Sequence, residues 1–153
     1  MNKITTLLTG TLLATSFSLP ALADDYDPEA LIKYRQDVME AIKSHNNSIK
    51  AILQNKVPFD DQLNTHMSSL EDLLNDVGSL FPDGSDLGET NAKDEIWDKP
   101  EKFEKAVTDA NRAFAEFKAI VAKGDKRASA DALKKFGKAS CGNCHKSFKK
   151  KDD

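Results

Sequence analysis

The sequence has no excess of basic residues: 22 lysines and arginines stand against 25 aspartates and glutamates, a formal net charge of -3 over 153 residues. A surface built to bind nucleic acid carries the opposite balance against the phosphate backbone, so that class is excluded. Cysteine is scarce too, and two residues rule out a disulfide-dense miniprotein. Strand patterning, internal repeats and low-complexity tracts are absent. What is present, 39% hydrophobic and 31% charged residues, fits one soluble globular domain.

The one long apolar run is N-terminal. Lys3 is followed by a stretch from Ile4 to Leu19, and Ala21-Leu22-Ala23 supplies the small-x-small pattern of a secretory cleavage site. Thr5, Thr6, Thr9, Gly10, Thr11, Thr15, Ser16 and Ser18 interrupt the run, so it is a poor membrane anchor. The expectation is a leader over residues 1-23 cleaved after Ala23, and a mature domain over 24-153 with no membrane insertion. Removing Lys3 leaves 21 basic side chains against 25 acidic ones.

The rest reads as helix, because its apolar residues recur every three or four positions. Asp27-Pro28-Glu29 is a helix start. Leu31, Tyr34, Val38, Ile42, His45, Ile49 and Ile52 then share a face to about Gln54, and Lys56-Val57-Pro58 stops the helix. Asp60 or Asp61 is expected to cap a second helix with the stripe Leu63, Met67, Leu70, Leu74 and Val77. Residues 78-98, with Pro82, Gly84 and Gly88, read as a long loop, and loops of that length are usually functional or mobile. A third helix starts near Pro100-Glu101, carries Phe103, Val107, Ala110, Phe114, Phe117 and Val121, and ends at Gly124. A fourth, opened by Asp125, runs through Ala132, Leu133, Phe136, Ala139 and Ser140 to about Phe148. Its apolar face is small, with Gly137 in its interior, and predicts a hollow able to take something flat and large. The fold class is all-α, an antiparallel up-down-up-down four-helix bundle.

The chemistry lies in Cys141-Gly142-Asn143-Cys144-His145, the attachment pattern for a c-type haem. Residues three apart on a helix project from one face, so two thiols reach the two haem vinyl groups while His145 aims its imidazole at the iron. A thioredoxin-type pair needs a strand-to-helix setting that this chain lacks. A zinc site needs a fourth ligand, and although His45 or His66 is available in principle, neither has a paired ligand nearby in sequence. A disulfide across two intervening residues is strained. One covalent haem c per chain is therefore the expected cofactor. Only eight residues follow His145, so a sixth iron ligand comes from upstream: Met39, Met67, His45 or His66. No acid-base pair, nucleophile or second metal site is apparent, so the chain is not expected to be an enzyme.

With these residues in view the mature chain resembles the class II c-type cytochromes, the cytochrome c′ family and its low-spin members. Tyr34-Arg35-Gln36 with Met39, Pro58-Phe59-Asp60, Glu95-Ile96-Trp97 and Cys141 to His145 carry the resemblance. It implies a bundle enclosing one haem, His145 as axial ligand, a periplasmic location and a homodimer packed through the first two helices. It also implies that Arg35 and Gln36 contact the haem and its propionates, and that Thr90 and Asn91 contact the same haem edge. Met39 falls where the family faces the distal side. There it is either an apolar shield over a five-coordinate iron that binds nitric oxide or carbon monoxide, or the sixth ligand of a low-spin electron carrier, and a thioether suits both. Phe148-Lys149 matches the family's aromatic-basic pair after the haem motif, with the less specific cation.

Lys134, Lys135, Lys138, Lys146, Lys149, Lys150 and Lys151 make the last helix basic in an acidic chain. They are either solvated complements of the helix dipole or a docking patch for an acidic periplasmic redox partner. The function expected is one-electron transfer through a single haem. Its rivals are a gas-binding protein whose output is not electron flow and a haem-free interaction module.

Overall fold

The computed structural model describes residues 26-151; the expected leader, residues 1-23, lies outside them. Its elements in chain order are α1 (Pro28–Leu53), α2 (Leu63–Asn75), a four-residue α3 (Glu95–Asp98), α4 (Pro100–Val121), α5 (Lys126–Gly137) and α6 (Asn143–Phe148). α5 and α6 are joined by a π-helical turn, Lys138–Gly142, so they form one bent column. That column with α1, α2 and α4 makes a four-helix bundle, and no β-strand occurs among the described residues.

Local chemistry sets the ends. The Asp27 carboxylate accepts from the Glu29 N–H at 3.0 Å and Pro28 occupies the first turn, where a missing donor costs nothing. Asp125 caps α5 in the same way by accepting from Ala128 N–H at 3.0 Å. Gly124 adopts φ +77 between α4 and α5, a backbone state that a Cβ disfavours. The cap expected at Asp60 or Asp61 is not formed, because Asp60 instead accepts from Lys126 Nζ at 2.6 Å and Asp61 from Gln62 Nε2. A 3₁₀ turn over Asp60–Gln62 leads into α2. The electrostatic tie to the start of α5 takes the carboxylate away from the backbone.

The core is Ile42, Ile49, Leu53, Met67, Leu70, Leu74, Phe114, Phe117, Leu133 and Phe136, with Met39 packed at its margin. Phe117 and Phe136 stack with centroids 5.7 Å apart, and Phe114 meets both rings edge-on. These residues follow the expected stripes, except near the start of α1. There Ile32 and Arg35 are buried, whereas Tyr34 is 64% exposed. The helix is turned so that the guanidinium, not the phenol, faces inward. In the last column Ala139 is exposed although Ser140 is buried, because the π turn shifts the inward face.

Candidate haem site at the loop end of the bundle

The segment 78-98 is less open than its composition suggests. It holds a 3₁₀ turn (Val77–Leu80) and α3, and it is fastened at both ends of a polar network. Arg35 sits at its centre and is 4% exposed. Its Nη1 donates to Leu80 O at 3.2 Å and Ser85 Oγ at 3.0 Å, and its Nη2 to Ser85 O at 3.0 Å and Thr90 Oγ1 at 2.9 Å. The guanidinium also lies 4.7 Å from the Phe81 ring centroid. Every one of these acceptors is neutral, and burial pulls the Arg35 pKa down. A buried cation without a carboxylate partner among the described residues is an arrangement that an anionic group would relieve.

From Thr90 the network runs to the C-terminus. Ala92 N–H donates to Thr90 Oγ1, Lys150 N–H to Asn91 O at 2.7 Å, and Lys93 N–H to Phe148 O at 3.0 Å, so residues 91-93 lie antiparallel beside 148-150. Lys93 Nζ donates to the carbonyls of Lys146 and Ser147 at the exposed end of α6. Lys149 N–H closes the circuit by donating to His145 O. Aromatic rings run beside it: Phe81 meets Phe103 at 4.8 Å and Phe103 meets Phe148 at 5.3 Å, both edge-to-face. Arg35 on α1 and His145 on α6 are thus held by one structure, the loop.

Cys141 lies in the π turn, and Cys144 and His145 follow in the first turn of α6. Both cysteines are free thiols, half-buried. Burial pushes the Cys144 thiol pKa up, and the charge of the nearby Cys141 adds to the push. His145 is exposed over part of its surface, yet partial desolvation of the ring, and secondly the Lys149 ammonium, lower its pKa and favour the neutral imidazole that ligates metal. A cavity of about 500 Å³ opens beside this segment, with Cys144, Ser140 and Phe148 on one wall and Lys99 with Lys102 and Ala106 of α4 on the other. The hollow expected at Gly137 is not a core cavity: the space there, about 180 Å³ between α1 and α5, is lined largely by Asn46, Lys50, Gln54 and Lys134 and holds none of the motif residues.

The expected site residues divide into two groups. Arg35, Thr90 and the backbone of Asn91 meet around the loop, and Cys141, Cys144 and His145 lie together on the α5–α6 column. Gln36 is exposed, and Met39 packs half-buried against the core one turn along α1 from Arg35. Of the expected site residues only Cys144 lines the larger cavity; Arg35, Gln36, Met39, Thr90, Asn91, Cys141 and His145 do not. The donor set fits a haem: two free thiols and an imidazole at motif spacing, flanking space, and a buried cation for a propionate.

Among the other candidate ligands, Met67 is in the core. His45 and His66, expected to lack a paired ligand, face each other across α1 and α2 with Nδ1 atoms 3.0 Å apart. The pairing is invisible in sequence because it needs the antiparallel register. His45 is ten residues beyond Arg35, about 15 Å along the helix axis and away from the loop end. Ser85 and Phe81, both partners of Arg35, and Lys93 were not singled out by pattern. A serine in a Ser/Asp-rich loop carries no signal of burial, and only the fold aims it at a guanidinium.

Comparison with known proteins agrees with this architecture. The profile of a family described as cytochrome C′ matches residues 30-149. The chain is 29% identical over 129 residues to cytochrome c′ of Rhodospirillum rubrum, covering 84% of this chain and 87% of that protein. It is 32% identical over 149 residues to cytochrome c-554 of Cereibacter sphaeroides, covering 92% and 96%. Among solved structures, a nitric oxide complex of a mutant cytochrome c prime from Alcaligenes xylosoxidans superposes with a TM-score of 0.71 at 26% identity, covering 81% of this chain and 97% of that one. The loop-fastened bundle with its thiol pair and histidine at one end belongs to the cytochrome c′ family.

Proposed function

We propose that the protein is an exported, periplasmic cytochrome that carries one covalent haem c and passes single electrons. The observation that carries this reading is the cluster of two neighbouring free thiols and a neutral-leaning histidine beside a cavity of about 500 Å³. Cys141 and Cys144 would hold the group through two thioethers, each S–H adding across a vinyl C=C with no oxidant consumed, and His145 would ligate the iron, so that the bound haem would supply a reversible one-electron couple. The Lys149 N–H to His145 O bond fixes the backbone that carries the imidazole. Arg35 offers a fixed positive charge for a propionate, with Gln36, Thr90 and Asn91 at the same edge. Met39, packed at the core margin, would serve as an apolar shield and leave room for a small neutral gas to bind. Nitric oxide is bound by a mutant of the Alcaligenes xylosoxidans cytochrome c prime, and carbon monoxide by another variant of it.

The reading is of a carrier, not an enzyme. It includes cleavage after Ala23, a homodimer through α1 and α2, and an acidic redox partner docking on the lysines of the last column. Lys134 is already paired with Asp131 at 2.9 Å and Lys150 Nζ donates to Thr90 O at 3.3 Å, so Lys138 and Lys146 are the better docking candidates. The ferrous optical spectrum of the exported protein tests the coordination. A high-spin spectrum that changes with carbon monoxide is expected. A sharp low-spin α band that vanishes in Met39→Ala instead establishes Met39 as the sixth ligand. A rate of electron transfer that does not respond to ionic strength sinks the docking patch.

A further inference from the structure

His45 and His66 stand outside everything assigned above. They sit on different helices, α1 and α2, both half-buried, with ring centroids 5.2 Å apart and planes inclined by 57°. Among the described residues the partner of each ring is the other ring, through Nδ1 to Nδ1 at 3.0 Å. A histidine kept for packing usually spends its Nδ1–H on a carbonyl or carboxylate. Here two good ligands are aimed at the same small space.

The separation is informative. Two nitrogens bound to one ion at about 2.05 Å lie about 2.9 Å apart when the angle at the metal is a right angle, and about 3.3 Å apart when it is tetrahedral. The observed 3.0 Å falls near the right-angle value, the cis arrangement of square-planar or octahedral ions. Imidazole nitrogen and the Irving–Williams order favour the same end of the series. No third His, Cys, Asp or Glu completes a cluster among the described residues, so the remaining positions fall to water.

We propose that His45 and His66 form a two-imidazole site for a divalent late first-row ion, Cu²⁺ or Ni²⁺ ahead of Zn²⁺, which clips α1 to α2 independently of the haem site. On binding, the proton on the donating Nδ1 moves through water to Nε2 of its own ring. Both rings stay neutral, both Nδ1 lone pairs reach the metal, and no proton is lost.

The test uses the ferric holoprotein, with its thiols consumed as thioethers and His145 on iron, freed of other metals by chelator. Calorimetric titration with Ni²⁺ is expected to show one ion per chain. The melting temperature should rise saturably, reflecting about a hundred-fold shift in the folding equilibrium when free metal reaches a hundred times its dissociation constant. His45→Gln and His66→Gln are each expected to weaken binding at least about ten-fold. In the unmutated chain, the paramagnetic resonance of bound Cu²⁺ should show two equatorial imidazole nitrogens, a readout that does not require the variants to fold. Absence of binding, a Cu²⁺ signal with fewer than two such nitrogens, or a metal response retained in both variants overturns the site.

Discussion

The two ends of the bundle are closed by different physics. At one end Phe114, Phe117 and Phe136 fill the interior against Ile49, Leu53 and Leu70, with no buried charge among the described residues. At the other, α1, α4 and α6 converge on a loop whose centre is a buried arginine with four hydrogen bonds to neutral oxygens. Apolar packing stabilises wherever it occurs, but a buried cation costs stability unless something compensates it. The first end is built to stay shut. The second is built around an interaction that the polypeptide alone leaves incomplete, which is where a charged cofactor belongs.

Substitutions at each end sharpen that contrast. The largest effect is expected for Phe117→Ala, which leaves a cavity at a position 1% exposed and should lower unfolding stability by about 4 kcal/mol, read from the denaturant midpoint, with haem attachment unchanged. Arg35→Met should cost about 2 kcal/mol and act locally. Amide exchange is expected to quicken over residues 80-93 and 149-150 but not in α2, and the reduction potential should fall, because a positive charge that favours the reduced haem is gone. Uniform loss of protection throughout the bundle would erase the distinction between the ends. Asp125→Ala should remove about 1 kcal/mol by uncapping α5 at the Phe-filled end, measured as a shift in melting temperature.

The smallest effect concerns pH. Desolvation first and His66 second hold the His45 pKa below its usual value near 6.5. The unfolded chain therefore binds more protons than the folded one in the window just below that value. Stability should be full above about pH 6.5 and fall as the pH drops through the window to the folded pKa. In chelator, His45→Gln should flatten that part of the profile, and an unchanged slope would assign it to other groups.

Much of this was legible in the sequence, for identifiable reasons. Asp27-Pro28 and Asp125 are local signals, because a cap needs only its own next few residues. The haem motif is legible because its chemistry fixes its spacing. Asp60 has the local pattern of a cap, but its bond to Lys126 depends on a residue 66 positions away. Tyr34 was placed inward because a helical stripe prefers the apolar side chain, and only the loop explains why Arg35 takes that place. The π turn in the last column leaves no periodic trace in five residues, yet it decides where Cys141 points relative to Cys144. The His45–His66 pair depends on the register of two antiparallel helices, which no single-helix pattern contains.

If the thiols at the loop end carry the cofactor covalently, the mass of the exported protein after complete unfolding shows it most directly. The expected mass is that of the chain plus one haem, retained through denaturation and lost in a Cys141→Ala, Cys144→Ala double variant. A mass equal to the chain alone, from a host able to mature c-type cytochromes, would contradict it.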